Sequence, residues 1–313
     1  MKPVAVLLNP AGGKGRARRV WAGLQREFPK LDQEAALFVS RFRGEIELLA
    51  RRIAEEGYEK VLVLGGDGTL FEAVNGFVYP SGQAVRGSLS IAALPAGSGC
   101  DFLRSFPLPK KNHSLWAALQ NLPALPLDLL QLDLDGQNGH QRRFCLNTAS
   151  LGISGEAAHT AGKRFSFLPA AAGYLSAFFA HLLCVQPVQA EVTVDGEPWF
   201  RGAIWNLFLC NGRYSGGGML WAPEARLDDG KADLLLIRPV PRHRVPGYVP
   251  RLFRGTLAEV QEARSAVAEQ MEIRLERAVQ AELDGELFRF HALQLKVLPG
   301  ILPWILPRPA LRV

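Results

Sequence analysis

The sequence predicts an α/β domain followed by a β-rich domain, and three observations lead there. Over residues 1 to about 125, short aliphatic runs alternate with stretches of helical periodicity. The runs at 4–8, 61–64 and 91–94 each pass directly into a glycine-rich loop. From about residue 126 onward, apolar segments are separated by Asp-Gly and Asn-Gly turns. At 313 residues the chain is long enough for two cores. We assign residues 1–125 to the α/β domain, 126–300 to the β-rich domain and 301–313 to an apolar, proline-rich C-terminal strap.

Each element has its own signal. Strand 4–8 enters Asn9-Pro10-Ala11-Gly12-Gly13-Lys14-Gly15, and a helix carrying Val20, Leu24 and Phe28 follows. A second strand covers 36–39, and an amphipathic helix over 45–56 ends at Gly57. Strand 61–64 runs into Gly65, Gly66 and Gly68, after which Leu70, Ala73, Val74 and Phe77 recur at helical spacing. Strand 91–94 opens into Pro95-Ala96-Gly97-Ser98-Gly99. Such a rhythm gives a parallel sheet whose loops gather at the strands' C-terminal ends.

Residues 122–126 read as a linker, and a helix over 259–270 is expected to interrupt the later strands. The apolar stretch 165–185 has about the length a bilayer needs, but Pro169 and His181 interrupt it, which favours a packed helix. The tail from 298 holds four prolines and Arg308, so it is either a strap or an interfacial anchor through Trp304.

Composition narrows the chemistry. Apolar content of 48% and charge of 21% describe a soluble globular chain. A net charge of +6 suits an anionic partner, such as a nucleotide or an acidic membrane surface. Nucleic acid is not expected, because aromatic and basic residues do not interleave. The four cysteines have no paired spacing, which fits reduced thiols in the cytoplasm. The N-terminal apolar run continues straight into a glycine loop and is a first strand, not a signal peptide.

A strand, a glycine turn and a helix start make a phosphate cradle, since bare amides converge where the helix dipole is positive. Asp67 sits in the middle of this one. A carboxylate beside a polyphosphate is repelled unless a divalent cation or a protonated hydroxyl lies between them. The loop therefore points to phosphoryl transfer; read alone, Asp67 is equally well a helix N-cap. No loop is a Walker A sequence.

The motifs NPAGGKG, GGDGT, PAGSGCDF, CNGRYSGGGMLWAPEARLDDGKADLLLI and ELDGELF, in this order, resemble those of the diacylglycerol kinase catalytic-domain family. That resemblance implies an ATP- and Mg2+-dependent kinase acting on a lipid alcohol such as diacylglycerol or a sphingoid base. It implies a Rossmann-like nucleotide-binding domain, a β-rich sandwich domain and peripheral contact with an anionic membrane. Asn9, Gly12, Gly13, Lys14, Ser40, Gly66, Asp67, Gly68, Thr69, Glu72 and Ser98 would line the ATP site, with Asp67 reaching the phosphates through magnesium.

The carboxylate of Asp229 and the carbonyls of Arg226 and Lys231 would hold a structural magnesium. Glu286 would accept the hydroxyl proton with Asp284 assisting, both facing the acceptor from an extended segment. Phe71 and Cys100 stand where the family usually has Asn. Asp195-Gly196-Glu197 repeats the tripeptide of Asp284-Gly285-Glu286 in a plain strand–turn setting, so only position separates the two. Trp199, Trp205, Phe208, Trp221 and Phe178 belong either to the core or to a lipid slot. GGDGT is shared with nicotinamide-dinucleotide kinases, so a soluble-metabolite kinase is one alternative, and a non-catalytic nucleotide-binding membrane protein is the other. Oligomeric state has no signal in the sequence.

Overall fold

The computed structural model describes residues 4–305 except 98, 108–115, 117–122, 138, 166, 183 and 185. The chain divides into two compact units: 1–128 together with 299–313, and 129–298.

The first unit runs β1 (Val4–Leu8), α1 (Arg16–Glu27), α2 (Leu31–Glu34), β2 (Ala35–Val39), α3 (Glu45–Glu55), β3 (Lys60–Gly65), α4 (Asp67–Phe77) and β4 (Ser90–Pro95). Its strands lie in the order β2-β1-β3-β4, all parallel. The two central strands, β1 and β3, are buried along nearly their whole length, as continuous aliphatic runs require when both faces are covered. Register aligns Leu8 with Val39 and Leu64, and Gly65 with Pro95, so the three glycine loops leave one end of the sheet together. Gly76 brings α4 against α3, because a Cβ there would strike the Glu47 carbonyl and Ala50.

The second unit holds β5 (Leu125–Gly136, which begins in the first unit), β6 (Gly139–Cys145), β7 (Thr148–Gly152), α5 (Ile153–Arg164) and α6 (Ala170–Leu182). Then follow β8 (Val188–Val194), β9 (Glu197–Ile204), β10 (Asn206–Cys210), β11 (Tyr214–Ser215), β12 (Met219–Leu220), β13 (Ala232–Ile237) and α7 (Val245–Arg254). The last strands are β14 (Ala263–Ala268), β15 (Gln270–Leu283) and β16 (Glu286–Trp304). Antiparallel pairing gives β14-β13-β10-β7-β15-β16. A register shift between Arg274 and Val279 divides β15: its first half pairs with β8 and its last residues with β7.

Three expectations need correction. No helix forms over 259–270; a 3-10 turn at Leu257–Glu259 precedes β14, whose six residues all pair with β13. Ala and Glu favour a helix there, but a ladder partner overrides local propensity. The linker read at 122–126 already lies in β5 at Leu125 and Pro126, while 122 is outside the described residues. Trp304 is not an interfacial anchor. It is fully buried against Phe102 at 5.1 Å and pairs with Ile91, so this part of the tail straps the first unit; residues 306–313 lie outside the described ones. Of the 165–185 stretch, 170–182 is helical, and among the described residues no helix is long and apolar enough to cross a membrane.

Candidate active site

Backbone contact, permitted by glycine, locks the three loops of the first unit together. A Cβ on Gly66 would strike Gly97, and one on Gly97 would strike Gly66, so the second and third loops touch main chain to main chain. Gly13 has φ +55° and lies against the Ala96 carbonyl, which joins the first loop to the third. The Asn9 amide closes the remaining side by donating to Thr69 Oγ1 at 3.0 Å, while its own oxygen accepts the Ala11 N–H at 3.1 Å.

Asp67 is the first residue of α4, whose N-terminus has no side-chain cap; the N-cap reading is therefore not what forms. The first-turn amides, 67–69, have no partner within the helix, which is the arrangement by which a helix start receives an anion. The Asp67 carboxylate accepts the N–H groups of Asp101 at 3.2 Å and Phe102 at 3.3 Å. These two amides had no signal in the sequence beyond their nearness to the third glycine loop, which already included Gly97. Ser40 is buried, its N–H on the Leu8 carbonyl, and Glu72 Oε1 accepts the Gly44 N–H at 3.2 Å. Lys14 has φ 55° and is exposed. Ser98 lies outside the described residues.

Cys100 stands where the resemblance led us to expect an Asn. Its φ is 52°, a left-handed conformation that Asn adopts more readily than Cys. Its thiol accepts the Gly97 N–H at 3.2 Å, so the side chain serves loop backbone. Burial, and next the Asp67 charge, push this thiol up to about 11, so it stays protonated at neutral pH. We expect native alkylation to label the exposed Cys184 well before Cys100, Cys145 or Cys210, all buried. Peptide mass mapping during a timed iodoacetamide reaction checks the order, and early labelling of Cys100 would contradict it.

In the second unit, the segment carrying Asp284 and Glu286 is not extended. Asp284 has φ 47° and Gly285 φ 94°, making a two-residue hairpin turn between β15 and β16 with Leu283 paired to Glu286. Side chains two apart in a turn do not share a face, so the parallel aim expected of this pair is lost. Asp284 is 4% exposed and its carboxylate accepts the N–H groups of Leu146 (2.6 Å), Asn147 (3.0 Å) and Thr148 (2.9 Å). Burial pushes the carboxyl up, against the pull of those amides. Asp195 adopts the same turn, with φ 49°, and its Oδ1 accepts the Glu269 and Gln270 N–H groups, but in the open. Glu286, at the start of β16, is half-buried.

At the loop of 226–231, Asp229 Oδ1 accepts the Lys231 N–H at 3.1 Å, and Arg226 pairs with Asp228 at 3.2 Å. Burial, then the charges of Asp229 and Glu224, push Asp233 up to about 6, a sign of negative potential beside this loop. Among the described residues no three His, Cys, Asp or Glu side chains gather closely enough to hold a metal. A site here would rest on one carboxylate and backbone carbonyls. Of the five aromatic residues, Phe178, Trp205, Phe208 and Trp221 line one apolar pocket, whereas Trp199 lies under the Arg264 guanidinium at 5.1 Å.

Residues 3–132 match the family model of the diacylglycerol kinase catalytic domain, and 147–306 match that of the YegS C-terminal NAD kinase beta sandwich-like domain. The chain is 30% identical over 310 residues to the "Probable lipid kinase YegS-like" protein of Pseudomonas aeruginosa, covering 98% of this chain and 94% of that one. It is 25% identical over 288 residues to the diacylglycerol kinase of Bacillus subtilis, covering 91% and 90%. A crystal structure described as a diacylglycerol kinase from Bacillus anthracis superposes with a TM-score of 0.70 at 19% identity, covering 98% and 97%. Yeast NADH kinase complexed with NADH superposes at 0.55 and 13% identity, covering 97% and 82%. At those identities the likeness is one of fold.

Proposed function

This chain belongs to the diacylglycerol kinase catalytic-domain family, and from that premise we propose that it transfers the γ-phosphate of ATP to a hydroxyl of a lipid alcohol. One observation carries the reading: Asp67 begins an uncapped helix inside a cradle of three interlocked loops, its carboxylate fixed by two amides. In this reading Asn9, Gly12, Gly13, Lys14, Ser40, Gly66, Gly68, Thr69, Glu72 and Ser98 serve the nucleotide. Amides 67–69 meet the phosphates, and Asn9 holds Thr69 in place. The donor set fits magnesium, which is commonly held by one or two carboxylates together with substrate phosphates. Bound there, the ion offsets the negative charge that phosphoryl transfer leaves on oxygen. Asp229, with the carbonyls of Arg226 and Lys231, is our assignment for a second, structural cation.

Glu286 is the proposed proton acceptor for the lipid hydroxyl. Asp284 is a positioning residue: by pinning residues 146–148 to the turn it fixes the start of β16, where Glu286 stands. The protein would work in the cytoplasm, held peripherally to the inner face of an anionic membrane where its substrate lies.

Radiolabelled ATP and magnesium, incubated with the protein and either a total-lipid extract or a pool of soluble metabolites, test the reading. The label is expected in the organic phase, and mass spectrometry of that product names the acceptor. Label confined to soluble dinucleotides would overturn it in favour of a metabolite kinase. ATP binding without any product would favour a non-catalytic nucleotide binder. Within the same assay, Glu286→Ala is expected to lose about 10²–10⁴-fold in kcat, the range for a general base. Glu197→Ala, in the matching exposed turn, is expected to keep wild-type turnover.

A further inference from the structure

Between β2 and α3 the chain makes a short loop, 40–44, whose two ends are pinned. The Ser40 N–H donates to the Leu8 carbonyl, and the Gly44 N–H to Glu72 Oε1 at 3.2 Å. Glu45, 5% exposed, accepts the Arg41 N–H at 2.5 Å and the Arg41 guanidinium at 2.6 Å. Its own N–H returns to the Phe42 carbonyl at 3.3 Å. Phe42, at the tip of this fixed loop, is nonetheless 58% exposed. Single apolar residues on a surface need no explanation. An aromatic ring held out by a backbone fixed at so many points is another matter, because it is preorganised to receive a flat partner.

The loop stands level with the phosphate cradle. β2, β1 and β3 are neighbours, and Leu8 aligns with both Val39 and Leu64. Phe42 comes three residues after Val39, and Asp67 three residues after Leu64. Two strand spacings, roughly 10 Å, separate the two positions across the sheet. The bond from Gly44 to Glu72 ties the loop to the helix that Asp67 begins. An extended nucleoside triphosphate holds its base off from its outer phosphates over a comparable length. The other side of the cradle is closed, since Gly97 packs on Gly66 and the Asp101 and Phe102 N–H groups bond to Asp67. A nucleotide whose phosphates meet the first turn of α4 therefore turns its base toward β2, and Phe42 is the ring displayed there.

We propose that Phe42 is the platform on which the nucleotide's base stacks, and that it makes the site select purines over pyrimidines. This rests on the ATP-binding part of the kinase reading and adds to it a residue that sets base choice. Stacking reads the area of a π-face rather than a hydrogen-bond pattern, so the larger purine gains more. Arg41 and Arg43 on either side of Phe42 would also suit contact with an anionic membrane. The pinning of the loop to α4, level with the cradle, favours the base.

Calorimetric titration of the whole protein with ATP, UTP and inorganic tripolyphosphate, all in magnesium, tests it. The ring is exposed, so Phe42→Ala keeps the fold. Its Kd for ATP is expected to rise about five- to hundredfold, the range for losing one base–aromatic stack. Tripolyphosphate, which has no base, is expected to bind as in the wild type, and the preference for ATP over UTP to shrink. Phe42→Trp is expected to keep the affinity for ATP, and its added indole fluorescence to respond to ATP and not to tripolyphosphate. Leu48→Ala removes another apolar side chain, 63% exposed on α3, and as the control is expected to change nothing. In turnover the loss in Phe42→Ala is expected to fall on KM for ATP, with kcat kept.

Unchanged ATP affinity in Phe42→Ala, or equal weakening of ATP and tripolyphosphate, would overturn the proposal. Loss of binding to phosphatidylglycerol vesicles with ATP affinity intact would also overturn it and give the ring to the membrane. Those results leave the kinase reading standing. A wild-type protein that binds neither ATP nor tripolyphosphate would remove that reading itself.

Discussion

Asp67→Asn is expected to give a folded protein whose kcat falls at least about 10²–10³-fold, the scale on which one preorganised electrostatic group matters. Folding should survive because Asn keeps one of the two acceptor oxygens, and with it one of the bonds from Asp101 and Phe102, and because Gly66 and Gly97 hold the same two loops independently. What Asn lacks is charge. In our reading the carboxylate is useful because it attracts the cation that a polyphosphate brings, and a neutral amide does not. Steady-state turnover beside a thermal melt checks both halves. Activity within a few-fold of wild type would remove Asp67 from the mechanism, and an unfolded variant would show that the two amide bonds hold the loops together.

Asp284→Ala is expected to be strongly destabilising, by about 3 kcal/mol or more. Three main-chain N–H groups, at 146, 147 and 148, would lose their acceptor inside the protein. Leaving a buried donor unsatisfied costs about 1–3 kcal/mol each. Asp195→Ala removes the same side chain from the same kind of turn, yet there the amides of 269 and 270 reach water, and a loss of about 1 kcal/mol or less is expected. Urea unfolding of both variants decides the matter. Equal losses would mean that the carboxylate of Asp284 carries nothing that its exposed counterpart lacks.

That pair also shows where sequence reading stops. Asp195-Gly196-Glu197 and Asp284-Gly285-Glu286 form the same left-handed turn, because Asp-Gly at a hairpin dictates it. Their different burial comes from contacts some 136–138 residues away in the chain, which no local pattern encodes. Conversely, β1 to β4 and the loops between them were legible, since aliphatic runs ending in glycine have few alternatives. β14 was not legible, because its alanines suit a helix until β13 offers an edge. Cys100 and Phe71 were visible as departures, but only the thiol's contact with Gly97 told what the Cys does.

The central claim, that the Asp67 carboxylate is tolerated beside a triphosphate because a cation mediates, is tested most directly by calorimetric titration of ATP with and without magnesium. In the wild type, magnesium is expected to tighten ATP binding about tenfold or more, and in Asp67→Asn that gain is expected to vanish while metal-free ATP binds as well or better, since the repulsion is gone. Identical magnesium dependence in the two proteins would contradict the account.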